Sequence, residues 1–334
     1  MIFPFIQSIV IMPNLNVAVI GPAGYAQQIG KKGTESDITF YNLKRDEATL
    51  TLVEPTRYPE KLASLFFAVS LADTIILVVE EIGPAFGECV LMLDCAGKKN
   101  GILILRNFIS ADQISPLTGG TVVAGYEIIG DDPRLIRERL LTEASNIRTN
   151  DLPAGTTSTG VVPIDQFFAV KGIGTVVLGI VSSGVIRRHD TLRVFPTAKE
   201  ALVRSLQKHD DEADLAYSGD RVGIALKGVE VTDLDRGYVL SNDPAIITSS
   251  TLSGRGEIIK YWPNPIREGM ILFIGHWMQF MPARVAFVDN AGDWRKPHLT
   301  LRTDKDLVYL PGAVGILTYL EGGKLRVVGK IHLS

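Results

Sequence analysis

In Pro163-Ile-Asp165-Gln166-Phe167-Phe168-Ala-Val-Lys-Gly172-Ile-Gly174-Thr-Val-Val-Leu-Gly179, glycines interrupt short apolar, β-branched runs. A helix interior does not carry that many glycines, so the run reads as strands that turn or cross closely at each one. The same punctuation continues downstream through Gly184-Val-Ile-Arg187-Arg188-His-Asp190, Val203-Arg-Ser-Leu-Gln207, Gly219-Asp-Arg221-Val-Gly223-Ile-Ala-Leu-Lys-Gly228 and Asp235-Arg-Gly237-Tyr-Val-Leu240. Short strands recurring about every ten residues without helical period indicate a small closed barrel, with the alternating Val, Ile and Leu filling its interior.

Upstream of this stretch the pattern changes. Asn150 to Gly160 is a turn-rich polar run that reads as a linker. Before it, Val17 to Ile20, Ala48 to Val53, Thr74 to Val79, Ile102 to Leu105 and Val122 to Tyr126 read as strands, and Pro59 to Leu71 and Asp132 to Ser145 as helices. Strands alternating with helices predict a doubly wound α/β domain with a mostly parallel sheet. A second break near Ser241-Asn-Asp-Pro244 opens another strand-rich unit that runs to the C-terminus. The expected division is an α/β domain over residues 1–150 and two β-barrels over residues 151–243 and 244–334.

At 334 residues and 46% hydrophobic content the chain can bury more than one core. A formal net charge of −3 excludes a globally basic coat for nucleic acid, so any RNA partner must be held by a local patch. Cys89 and Cys95 are the two cysteines. Their spacing fits neither a metal pair nor a disulfide framework, and they read as small buried residues of a reducing cytoplasm, which sets the expected localisation. Met1 to Ile11 is apolar but lacks a basic flank and is too short to span a bilayer; a start at Met12 is the preferred account. No membrane role, metal site or catalytic residue is expected.

The glycine-punctuated stretch and its continuation to Leu240 resemble, in one register, the second domain of elongation factor Tu and of its SelB branch. Leu272-Phe-Ile-Gly-His276, Pro282-Ala-Arg-Val285 and Leu320 to Ile331 are similar to segments of the SelB third domain. The resemblance implies a P-loop-type, G-domain-like α/β domain followed by two barrels, with aminoacyl-tRNA as partner, the ribosome as a further partner, and GTP with magnesium as the family's cofactors. The winged-helix region with which SelB holds an mRNA hairpin has no counterpart in this sequence, so no hairpin recognition by this chain alone is expected.

Against that family pattern the nucleotide motifs are degenerate. G-x-x-x-x-G-K-[ST] supplies backbone N–H groups and a lysine to phosphates and a hydroxyl to magnesium. Here the first strand leads into Gly21-Pro-Ala-Gly24-Tyr-Ala-Gln27-Gln28, with glutamines at the lysine and hydroxyl positions. Gly30-Lys31 offers a shifted alternative, one residue longer and followed by Lys32. D-x-x-G is replaced by Glu54-Pro-Thr-Arg57, with Tyr58 at the histidine position, and N-K-x-D by Asn107-Phe-Ile-Ser110. Gly21, Gly24, Lys31, Glu54 and Asn107 are the remnant that could touch a nucleotide, and weak binding or none is expected.

The resemblance further implies that the aminoacyl end of tRNA lies between the first two domains, against Asp165, Gln166, Phe168, His209 and Arg221. Arg221 resembles SelB, whose pocket is more polar, and so points to a special aminoacyl group of the selenocysteine or pyrrolysine kind. Each residue also has a structural reading: Asp165 a turn cap, Phe168 core, His209 an exposed loop, Arg221 a partner of the acidic run Asp210 to Glu212. Three functions stay open: a tRNA-binding module without hydrolysis, a GTPase using the shifted loop, and a protein that docks on ribosomes or a related GTPase.

Overall fold

A computed structural model describes residues 13–46, 48–147, 159–290, 292–321, 323 and 325–334. The Met12 start and all of the Asn150–Gly160 linker except its last two residues lie outside the described residues.

The N-terminal unit is built on strands β1 Asn14–Ile20, β2 Lys31–Glu35, β3 Thr39–Arg45, β4 Ala48–Glu54, β5 Thr74–Val79, β6 Gly101–Leu105 and β7 Glu127–Ile128, in the order β2-β3-β4-β1-β5-β6-β7. From β4 to β7 the pairings are parallel, and β2 and β3 add an antiparallel edge. Alternation along β1 sorts its side chains. Ala18 and Ile20 face helices α1 Leu62–Leu71 and α2 Pro84–Cys95, and Val17 and Val19 face α4 Pro133–Ser145 on the other side. Both faces of the sheet are covered, which is why its central strands β1, β4 and β5 are buried along their whole length. Between α2 and α4 lies α3 Ala111–Thr118, whose Ile114 joins the α1–α2 side.

Two elements differ from the sequence expectation. Val122 to Tyr126 is a 3₁₀ turn over Val122–Gly125, held by the Asp94 carboxylate on the Val122 N–H, and the strand is the short β7 that comes after it. The helix expected from Pro59 begins at Leu62, after a turn.

The middle unit contains β8 Val161–Val170, β9 Gly174–Ile180, β10 Val185–Arg187, β11 Thr191–Phe195, β12 Lys199–Lys208, β13 Asp211–Ala213, β14 Leu215–Tyr217, β15 Arg221–Lys227 and β16 Val239–Ser241. The ring β11-β16-β8-β9-β15-β12 closes through the β11–β12 pairing around Val162, Ile164, Val177, Val194, Val203 and Ile224. A second closed barrel completes the chain, β17 Ile247–Ile258, β18 Ile271–His276, β19 Gln279–Asp289, β20 His298–Tyr309, β21 Val314–Thr318 and β22 Val327–Leu333.

Helix α1, Leu-Ala-Ser-Leu-Phe-Phe-Ala-Val-Ser-Leu, is apolar on nearly every face because it is buried twice. One side packs on the sheet, and Phe66 and Phe67 lie 5.6 and 6.3 Å from the Phe280 ring of the second barrel. Glu88 of α2, almost fully buried, accepts from the Arg326 guanidinium of that barrel at 2.8 Å. Toward the first barrel, Asn14 and Asn16 donate to the Gly219 carbonyl at 2.8 and 2.9 Å, and Arg236 reaches Asp37 at 2.5 Å while lying over Phe67. No described helix is long and apolar enough to cross a membrane.

Candidate ligand cleft and nucleotide crevice

In a parallel α/β sheet ligands sit at the carboxyl ends of the strands. Here β1 ends at Ile20 and the chain turns through Gly21 to Gly24. Gly24 has φ +80°, open to glycine without strain. A single 3₁₀ turn, Tyr25–Gln28, then leads into strand β2.

That turn is tied down by Glu54, at the end of β4. Its Oε2 accepts from the Gly24 N–H at 3.1 Å and from the Tyr41 hydroxyl at 3.0 Å, and its Oε1 from the Ala26 N–H at 2.6 Å. Glu54, Ala26 and Tyr41 are all buried. Burial first, and then the charge of Glu54, push the Tyr41 hydroxyl up to about 12.

Beside it Arg106, just beyond β6, bridges Glu80 at 2.9 Å and Asp131 at 2.7 Å and lies 5.1 Å over the Tyr25 ring, whose hydroxyl donates to Asp131 at 2.6 Å. Asn107 sits in a left-handed turn and donates to the Glu80 carbonyl at 3.0 Å. Lys31 lies on β2, opposite Asn42, so Gly30-Lys31 is the entry to an edge strand. No group of three or more His, Cys, Asp or Glu among the described residues is placed to hold a metal ion.

A cleft of about 710 Å³ opens between the β2–β3 edge and the first barrel, lined by Gln27, Lys31, Phe40, Asn42, Lys44 and Arg137 on one side and Leu178, Gln207, His209, Arg221 and Gly223 on the other. Of the five residues expected to converge, His209 and Arg221 line it. Asp165 lies behind Arg221. The β8–β9 register shifts between Ile164 and Gln166, beside Asp165, which is buried like the four residues before it. The Asp165 carboxylate takes both terminal nitrogens of Arg221, one at 3.0 Å, and the guanidinium carbon lies 3.8 Å over the Phe40 ring. Burial pushes the Asp165 carboxyl up from its ordinary value, and Arg221 pulls it back.

The turn-cap and acidic-run readings of Asp165 and Arg221 are both replaced by this pair. Gln166 and Phe168 do not line the cleft; Phe168 is 40% exposed. His209 occupies the left-handed turn between β12 and β13, and its Nε2 lies 3.1 Å from Asn14 Oδ1. The amide oxygen accepts, so Nε2 carries the hydrogen and Nδ1 remains an acceptor. Burial, together with the charges of Lys44 and Lys208, depresses His209 to about 4, so it is neutral at pH 7.

Sequence reasoning missed Asn14, Phe40 and Tyr41. Asn14 and Asn16 stand two apart on β1, a spacing that puts both amides on one face; nothing in the sequence marks the two aromatics.

Residues 174–241 match the family model for elongation factor Tu domain 2. An uncharacterized protein of Methanocaldococcus jannaschii is 39% identical over 69% of this chain and 73% of its own length. The selenocysteine-specific elongation factor of the same organism is 31% identical over 76% of this chain, which spans 58% of that protein's length. The fold is shared with the apo form of translation elongation factor SelB from Methanococcus maripaludis, with TM-score 0.78 at 21% identity, covering 96% of this chain and 79% of that one. The chain therefore belongs to the SelB-like branch of the elongation factor Tu superfamily.

Proposed function

We propose that this chain is an elongation factor-type protein that holds the acceptor end of an aminoacyl-tRNA in the cleft between its α/β domain and first barrel, without using GTP. The proposal takes residues 1–150, 151–243 and 244–334 as its three units and places the protein in the cytoplasm. The observation that carries it is the cleft itself, about 710 Å³ and lined from both sides by polar and basic groups, including His209 and Arg221. Kinship with selenocysteine-specific factors supports a special tRNA of the selenocysteine or pyrrolysine kind.

The crevice residues do not fit a nucleotide and its metal. Gln27 and Gln28 offer neither the lysine nor the hydroxyl, the loop leads into a single turn and a strand, and Arg57 and Tyr58 stand at the positions of the catalytic glycine and histidine. With Arg221 committed to Asp165 and Phe40, its role is to shape the cleft wall, and reading of the aminoacyl group falls to His209, Gln207 and the polar edge of β2–β3.

Gel shift with aminoacylated and deacylated tRNA tests the proposal. Preference for the charged form is expected. Equal binding of both, or binding of neither, would leave docking on ribosomes or a related GTPase as the better account.

A further inference from the structure

We propose that Glu54 is the resident anion of the loop after β1, an intramolecular carboxylate standing where this fold elsewhere receives a phosphate. The inference deepens the reading that GTP is not used, by naming what occupies the loop.

A carboxylate removed from water is unfavourable unless a cation or several donors compensate it. Among the described residues Glu54 has no ion pair; it is held by two backbone N–H groups, from Gly24 and Ala26, and by one phenolic hydroxyl, from Tyr41. Successive N–H groups converging on one anion are how protein backbone binds phosphate oxygens. Here both carboxylate oxygens are used, in a site closed over by burial of Glu54, Ala26 and Tyr41. Tyr41 reports the same charge from the other side, since the neighbouring carboxylate disfavours its phenolate.

The arrangement accounts for the missing lysine. A lysine at position 27 would serve a phosphate's multiple charge, whereas a single carboxylate is matched by neutral donors. Glu54 lies 30 positions from Gly24, at the end of the strand next to β1, and reaches the loop directly.

The experiment compares the full chain with Glu54→Gln, Glu54→Gly and Tyr41→Phe by thermal melting and by amide hydrogen exchange over residues 21–28, each in chloride and in inorganic pyrophosphate at equal ionic strength. Glu54→Gln, which keeps the shape and removes the charge, is expected to lower the melting temperature by about 5 °C or more and to speed exchange at Gly24 and Ala26. Tyr41→Phe should do the same more weakly.

In Glu54→Gly, pyrophosphate should restore protection at those two amides, with no such change in the parent. Glu54→Gln melting and exchanging like the parent would overturn the proposal, as would pyrophosphate protecting parent and variant equally. Should Glu54→Gly not fold, the glutamine and phenylalanine variants still decide. No tRNA enters these measurements, so their failure is distinct from failure of the gel shift.

Discussion

The crevice above β1, β5 and β6 lies within the α/β domain, the cleft beside β2 and β3 lies between that domain and the first barrel, and the chain treats them in opposite ways. In the crevice the protein's own groups meet one another: Glu54 on the loop N–H groups, Arg106 on Glu80 and Asp131, Asn107 on the Glu80 carbonyl. In the cleft, about 710 Å³ stays open between two units. A crevice within one domain can be filled by single substitutions to side chains that pair locally. A site between domains stays open only while the seams around it hold their distance.

The largest effect expected from this contrast is on nucleotide affinity. Three contacts to charged groups are missing, the lysine, the metal hydroxyl and the guanine carboxylate, each about 1.5–3 kcal/mol, or roughly three to six orders of magnitude together. Calorimetric titration should find GTP binding no tighter than high micromolar, and ribosomes should elicit no hydrolysis. Nanomolar affinity would break the comparison outright.

Next in size is the clasp that shapes the cleft. Arg221→Ala leaves Asp165 buried without its cation and removes the ring stacking on Phe40. A loss of about 3–5 kcal/mol in folding stability is expected, read as a shift in the denaturant midpoint. Replacing both partners, Asp165→Leu with Arg221→Met, should recover most of it, because no charge is then stranded. An Arg221→Ala protein that keeps the parent's midpoint while losing tRNA would show the guanidinium free to meet ligand, and would return it to the role that the sequence suggests.

Legibility in the sequence depends on where each residue's partner lies. The barrel is readable from residues 163–240 because its glycines and alternating valines act locally, each needing only its neighbours along a strand. The α/β layer is readable for a similar reason: the two-faced strand Val17 to Ile20 and the Asp132–Pro133 helix start, where the cap accepts the Arg134 N–H, are short-range devices. Strand β2 is not, since Lys-Lys-Gly-Thr-Glu is an exposed edge with no apolar alternation to announce it. Val122-Val123 reads as a strand because β-branched residues also suit a buried turn.

The candidate site is the least legible. Asp165 and Arg221 are 56 positions apart, and Phe40, which completes their clasp, comes from another domain. Glu54 stands out in the sequence as a remnant of a phosphate-sensing motif, but its partners are the backbone N–H groups of Gly24 and Ala26, which a residue pattern does not display.

A smaller effect tests whether the cleft wall at His209 and the second barrel at His276 depend on neutral histidines. His209 and His276 are both depressed by burial to about 4; His276 Nδ1 lies 3.1 Å from the Val314 carbonyl and donates to it. Their folded values lie below the ordinary 6.5, so between pH 6.5 and 4 the unfolded chain takes up protons that the folded chain refuses. Stability is therefore fully present above about pH 7 and falls as pH drops through that window, by about 1–3 kcal/mol for each histidine. His209→Gln should remove one share of the slope in denaturation curves taken from pH 7 to 4. An unchanged slope would mean that the imidazole is already open to water, and that the Asn14 contact does not help to set the cleft.

The smallest effect separates a cleft that holds RNA from one that is merely empty. Lys31 lies exposed on the cleft wall at the free edge of the sheet, with no ion pair among the described residues, while Lys32 pairs with Glu35 and Lys44 with Asp211. Such a lysine facing a single-stranded acceptor end should neutralise about one phosphate, and each such contact contributes a slope of about −0.7 to the dependence of log affinity on log salt. Lys31→Ala should therefore weaken tRNA binding roughly threefold to fivefold near 0.15 M salt and flatten that slope by about 0.7. Because phosphate contacts carry no information about the amino acid, the loss should be the same whatever the tRNA carries. Lys32→Ala and Lys44→Ala, whose charges are already matched by neighbours, should change the slope less. A slope unaffected by Lys31→Ala would mean that the acceptor end does not pass along β2, and the open side of the comparison would then belong to some ligand other than tRNA.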